Sequence, residues 1–150
     1  MRALIFAAAL AAASAAYAEP VRYELDPTHT QVAFTIDRFG FNKVLGRFEN
    51  VTGELILDEA NPANSSVRAT IQVASVDSSN DTRDEHLRGD RWLNAAQFPK
   101  ATFTSTAVKS LGGNRYEVTG PLTIKGKTKI VTAPLTLKPG DTQLIPSGIA

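Results

Sequence analysis

The sequence predicts an all-β domain, an antiparallel barrel or sandwich crossed once by a short helical segment. Three observations predict it. Apolar residues recur at every second position in short, separate runs, the period of a strand with one buried face. Glycine-containing turns separate those runs at even spacing, as in antiparallel folds with short connections. Only one stretch, Thr82 to Ser105, carries the signals of a helix.

The first strand is predicted over Tyr23 to Leu25, after a leader from Glu19 to Arg22, and Asp26-Pro27-Thr28 turns it. Val32, Phe34 and Ile36 then alternate with Ala33, Thr35 and Asp37, giving one strongly apolar face. Phe39-Gly40-Phe41-Asn42 is a turn whose two aromatic rings are expected to cap the core, the alternative being a gate over a pocket. Val44 to Phe48 is a short strand. Gly46 at its centre predicts a bulge or a close backbone approach, either of which helps a sheet curl. Val51, Gly53, Leu55 and Leu57 make the next apolar face. Asn61 to Ser65 is a loop. Val67, Ala69, Ile71 and Val73 make another face, and Asp77 to Asp81 is a polar approach to the helix.

Thr82 followed by Glu85 reads as a capping box, in which two side chains satisfy N–H groups left open at a helix start. Asp84 and Arg88 have the favourable acid-before-base order four residues apart. Gly89 interrupts the helix, so two short turns are expected rather than one rod. Pro99 ends the segment. Lys100 to Leu111 is then a strand with Ala101, Phe103 and Ser105 on one face and Thr102, Thr104 and Thr106 on the other. Gly112-Gly113-Asn114 is a hairpin turn. Tyr116, Val118, Leu122 and Ile124 continue the alternation, with a kink expected at Gly120-Pro121, and Gly126 lies in the next turn. Val131, Ala133, Leu135 and Leu137 form the last clear face. Pro134 lacks a ladder donor, which suits an edge strand.

The chain has 150 residues, enough for one domain. Arg2, the apolar run Ala3 to Ala13 and the small-x-small site Ala16-Tyr17-Ala18 read as a secretory signal peptide over residues 1–18, cleaved after Ala18. The run is too short to span a bilayer, so no transmembrane anchor is expected, and the location is expected to be periplasmic. Of 16 basic residues Arg2 is lost, leaving 15 against 15 acidic ones. A net charge of zero argues against a nucleic-acid partner, which needs a basic excess to displace counterions. There is no cysteine, so stability rests on the core.

Arg83-Asp84-Glu85-His86-Leu87-Arg88, then Trp92-Leu93-Asn94, then Phe98-Pro99 with Phe103 and Ser105, resembles the central signature of the YceI-like family. Tyr23, Leu25, Asp26, His29, Thr30, Val32 and Phe34 resemble its first strand. Gly120, Leu122, Thr123, Ile124, Lys125 and Gly126 resemble a late turn. The likeness covers roughly residues 22 to 137, and the three motifs stand in the family's order. It implies a lipocalin-like, extended antiparallel β-barrel that binds polyisoprenoid lipids in the periplasm. The domain is then residues 19–138. Residues 139–150 read as an irregular tail without strand pattern, where the family continues with strands that close its barrel. Missing closing strands would leave two open edges, so low solubility or a homodimer is expected.

Candidates for chemistry are few. His29 and His86 are far apart in sequence and lack metal-ligand spacing, so no metal site is predicted. Asp77, Asn80, Asp81 and Asp84 lack the glycine and terminal glutamate of a calcium loop. His86 beside Glu85 and Asp84 has no matching nucleophile, so no catalytic residue is assigned and no enzyme is predicted. What remains is the apolar interior: Val32, Phe34, Ile36, Phe48, Leu55, Ile71, Val73, Phe103, Val118, Leu122 and Ile124 lie on inward faces. On residues alone this is a filled core or a cavity. The resemblance implies a cavity for an isoprenoid lipid (an isoprenoid quinone or isoprenyl amphiphile), with that lipid as ligand and no other cofactor. The alternative is a filled sandwich or barrel whose partner is another protein.

Overall fold

The computed structural model describes residues 19–138 and 145–146. Eleven strands and one α-helix alternate in the order β1 (Val21–Glu24), β2 (Val32–Arg38), β3 (Asn42–Phe48), β4 (Val51–Leu57), β5 (Ser66–Gln72), β6 (Val76–Asp77), α1 (Asp81–Arg88), β7 (Lys100–Thr104), β8 (Ala107–Gly112), β9 (Arg115–Ile124), β10 (Lys127–Thr136) and β11 (Ile145–Pro146). Every pairing is antiparallel. The larger sheet runs β1-β4-β5-β7-β9-β10-β11 with β8 also on β9; the smaller runs β2-β3-β6. The fold class is as expected, but the barrel is not closed among the described residues.

The two sheets continue into one another through a double corner. The chain passes from β3 to β4 across Glu49-Asn50, and from β5 to β6 across a 3-10 turn at Val73–Ser75. The corners are tied together: the Glu49 N–H donates to the Ser75 carbonyl at 3.2 Å, the Asn50 N–H to Ser75 Oγ at 3.0 Å, and the Gln72 N–H to the Asn50 carbonyl at 2.9 Å. Strands that switch sheets at such bends are how orthogonal sandwiches and barrels turn a corner. Val73 therefore sits in a turn rather than on the strand expected to carry it.

The core lies on the inner face of the larger sheet. Leu55, Leu57, Val108, Tyr116, Val118 and Leu135 form one buried cluster, with Val67, Phe103 and Leu137 packed against it. At about 1.5–3 kcal/mol per buried large apolar side chain, this cluster is the main stabilising element of the larger sheet. On the opposite face, threonines line up across five strands: Thr52 opposite Thr70, Thr70 opposite Thr102, Thr102 opposite Thr123, and Thr123 opposite Thr128. The alternation apolar-in, threonine-out is what holds each register.

Several expectations are corrected. The strand expected from Lys100 to Leu111 breaks at Ser105-Thr106, and β9 keeps its register with β10 through Gly120-Pro121, the site of the expected kink. A Cβ on Gly120 would overlap the Thr104 carbonyl and Ser105 Cα, so β7 steps across the bare backbone of β9 there. At Gly46 the register with β2 is unbroken, so there is no bulge. The approach comes from the Phe34 ring, which lies where a Cβ would be. The first strand begins at Val21, inside the predicted leader. Ile145–Pro146 pairs with Leu135 and Thr136, so the predicted irregular tail contains a short strand; its other residues, like the signal peptide, lie outside the described residues. Lys125-Gly126, with φ of 48° and 70°, makes the tight turn between β9 and β10.

Candidate functional site

The signature segment is a structural latch. Helix α1 is capped by Asn80, whose side chain accepts from the Arg83 N–H at 2.9 Å; Thr82 lies inside the first turn, so the expected capping box is not the cap. Asn outranks Thr at this position, which decides the competition. Asp84 is buried and does not pair with Arg88. It accepts from the Ser78 N–H at 2.9 Å and from the Ser78 hydroxyl. Arg83 returns to the same residue, donating to Ser78 Oγ and to the Ser78 carbonyl at 2.7 and 2.6 Å. Arg88 reaches back to the Ala74 and Val76 carbonyls at 2.9 and 3.0 Å. Arg83, Asp84 and Arg88 are thus engaged by Ser78 and by carbonyls of the corner and of β6, and Leu87 of the same helix is buried.

Beyond Gly89 the chain does not form a second helical turn but a run of tight turns, held by bonds such as Leu93 N–H to the Leu87 carbonyl and Asn94 N–H to the Gly89 carbonyl. Trp92 is 57 % exposed, while Leu93 is half-buried. Phe98 covers Gly126 in the β9–β10 turn, and Lys125 Nζ donates to the Asp90 carbonyl at 2.9 Å. Ser78, Asn80 and Lys125 were not read as partners of this segment. For Ser78 and Asn80 the available signal was the serine–asparagine run directly before the acidic first turn.

Neither histidine is set for proton transfer by its neighbours. His86 is exposed on α1. His29 lies in the β1–β2 turn, with Nδ1 2.7 Å from Asp26 Oδ2 and 2.9 Å from Thr28 Oγ1. Both contacts fall on the same ring nitrogen, whereas a relay from hydroxyl to carboxylate uses the two nitrogens in series. Hydrogen bonds from the Thr28 hydroxyl, then from His29, then from the Thr28 N–H, hold the Asp26 carboxyl far below the ordinary carboxylate range. The group is a turn cap.

The eleven inward-facing candidates divide by burial. Leu55, Val73 and Val118 are buried; Val32, Phe34, Phe48, Ile71, Phe103 and Leu122 are half-buried; Ile36 and Ile124 are exposed. Leu55 and Val118 belong to the packed cluster, with Phe103 against it. The half-buried ones form two patches, one of which borders that cluster through Phe103. Phe103 sits directly opposite Ala69 and Leu122, with Ile71 two residues along β5. On the smaller sheet Val32 faces Phe48 across the strands, and the Phe34 and Phe48 rings lie 5.4 Å apart in tilted contact. These side chains point inward by alternation yet keep water contact.

The sequence matches the family model of the YceI-like domain over residues 23–149. The chain belongs to the YceI-like family. Protein YceI of Escherichia coli is 40 % identical over 129 residues, which cover 86 % of this chain and 67 % of the relative. Protein YceI of Salmonella agona is 40 % identical over 127 residues, 85 % of this chain and 66 % of the relative. Among solved structures, BcnA of Burkholderia cenocepacia superposes with a TM-score of 0.69 at 36 % identity, covering 75 % of this chain and 70 % of that one. The Campylobacter jejuni YceI protein gives 0.60 at 32 % identity, over 75 % and 66 %. The chain thus spans about two thirds of the length of these YceI relatives. No helix among the described residues is long and apolar enough to cross a membrane.

Proposed function

We propose that this YceI-like chain is a periplasmic carrier that binds an isoprenoid lipid (a quinone or isoprenyl amphiphile) along its inward apolar faces, without catalysis. One observation carries the reading: Val32, Phe34, Phe48, Ile71, Phe103 and Leu122 are directed inward but only half-buried. A long hydrocarbon tail laid over them removes its own surface and theirs from water, at about 0.8 kcal/mol per methylene. At roughly 0.3 kcal/mol per atom, a tail of about 30 carbons reaches sub-micromolar affinity. Membership of the family supports the ligand class, and the leader at residues 1–18 supports the compartment.

Native mass spectrometry of the protein purified from periplasm without detergent tests this. The expected result is a folded charge distribution with an added mass that organic extraction releases as an isoprenoid lipid. A bare folded mass, unchanged after incubation with isoprenoid quinone, overturns the reading and favours a filled core with a protein partner.

A further inference from the structure

The β2–β3 hairpin ends in an apolar tip that the carrier reading does not use. Phe39 is 85 % exposed and Phe41 94 %, and Leu45 on the hairpin's outer face is 70 % exposed. The turn expected to cap the core or gate a pocket therefore points both rings into solvent. The turn is built rather than loose. Phe39 holds a left-handed φ of 58°, uncommon for a bulky side chain, and Gly40 follows at 73°. Asp37 Oδ1 accepts from the Gly40 N–H at 2.6 Å, and the Phe41 N–H donates to the Arg38 carbonyl at 3.2 Å. Two cations flank the turn at the end of the hairpin: Arg38 and Lys43 make no ion pair among the described residues, while Arg47 further down is held by Glu49 and Asp77. One carboxylate, Asp37, stands opposite Lys43 in the register and accepts from the Gly40 N–H, so the tip keeps an excess of one positive charge among Asp37, Arg38 and Lys43.

We propose that this tip docks the protein on an anionic lipid bilayer, with Phe39 and Phe41 entering the headgroup–acyl boundary and Arg38 and Lys43 meeting the headgroups. Aromatic side chains gain by leaving water at that depth, and flanking cations add attraction to an anionic surface. A rigid turn presents the rings without an ordering cost at binding. The proposal does not depend on a cargo in the barrel, because it concerns only the outside of the hairpin.

The test is sedimentation of the protein purified from periplasm with phosphatidylglycerol/phosphatidylethanolamine vesicles and with phosphatidylcholine vesicles. The expected result is binding to the anionic vesicles that falls about tenfold or more in Phe39→Ser/Phe41→Ser. Arg38→Gln/Lys43→Gln should lose roughly fivefold per cation on anionic vesicles and nothing on phosphatidylcholine. All variants share one N-terminus, so the differences read the tip alone, and circular dichroism with urea midpoints confirms an unchanged fold. Anionic-vesicle binding that survives the double serine variant overturns the proposal. So does phenylalanine-dependent self-association without vesicles in analytical ultracentrifugation, which would make a second copy the occupant.

Discussion

The packed end of the larger sheet and the β2–β3 hairpin are written in the same alternating code, yet only one is filled. Around β4, β5 and β9 the inward residues Leu55 and Val118 are buried, and neighbouring strands close over them. On the hairpin the inward residues Val32, Phe34 and Phe48 are half-buried, and β3 meets β6 through only two register pairs, Arg47 with Asp77 and Phe48 with Val76. Alternation fixes the direction in which a side chain points. Whether anything lies there to meet it depends on which strands stand opposite, a property of topology. The packed end is thus the stability element, and the hairpin is the part free to meet ligands and surfaces.

Two glycines test that difference with the same substitution. A Cβ at Gly120 runs into the Thr104 carbonyl and Ser105 Cα, backbone fixed by pairing on both sides. At Gly46 the nearest atoms it would meet all belong to the Phe34 ring, on the half-open face. Gly120→Ala is expected to cost about 3 kcal/mol or more in urea unfolding, and Gly46→Ala about 1 kcal/mol as the ring swings aside. Equal costs would mean that the hairpin is as rigidly enclosed as the core, and the comparison would fail.

A pair of carboxylates gives the next largest effect. Asp84 and Asp37 each accept from a backbone N–H, but Asp84 is buried with Ser78 and Asp37 is exposed at the tip. Asp84→Ala strands the Ser78 N–H away from water and should cost about 2–3 kcal/mol. Asp37→Ala leaves Gly40 to bond to water and should cost about 0.5 kcal/mol. A small loss at Asp84 would show that the latch does not fix the corner.

The sequence made the strands and the glycine turns legible, because alternation and positive-φ turns are local properties. Lys125-Gly126 and Gly113-Asn114 fall where glycine spacing puts them. It did not reveal why the charged motif is charged. Asp84 and Arg88 are spaced for an ion pair, but each finds partners outside the helix, at Ser78 and at the Ala74 and Val76 carbonyls. A helix of eight residues has few bonds of its own, so tertiary partners decide where its charges go. The Phe39–Phe41 turn misled for a similar reason: aromatic residues in a turn suggest burial, and only the hairpin's position shows that nothing stands over them. Alternation alone makes the inward set look uniform, whereas burial divides it into a packed cluster and two half-buried patches.

The smallest expected effect lies in acid, where the two regions carry the same device at different depths. Asp58, buried in the β4–β5 loop, accepts from the Asn61 N–H and then from the Asn64 side chain, and these bonds hold its pKa below the ordinary carboxylate value. Asp26, in the exposed turn that leads into the hairpin, is lowered in the same direction by Thr28 and His29. A carboxyl whose folded pKa lies below its unfolded one contributes stability that is full above the unfolded value and is lost as the pH falls toward the folded one. Both contributions are therefore present at pH 5 and above, and fade below about pH 4. Asp58→Asn should lower the urea midpoint at pH 6, with the gap to the parent protein narrowing as the pH drops toward 2. Asp26→Asn should show the same narrowing from a smaller gap, since water screens an exposed turn. Curves that stay parallel from pH 6 to 2 would mean that the loops gain nothing from ionised carboxylates, and a larger gap for Asp26 would reverse the ranking of the two regions.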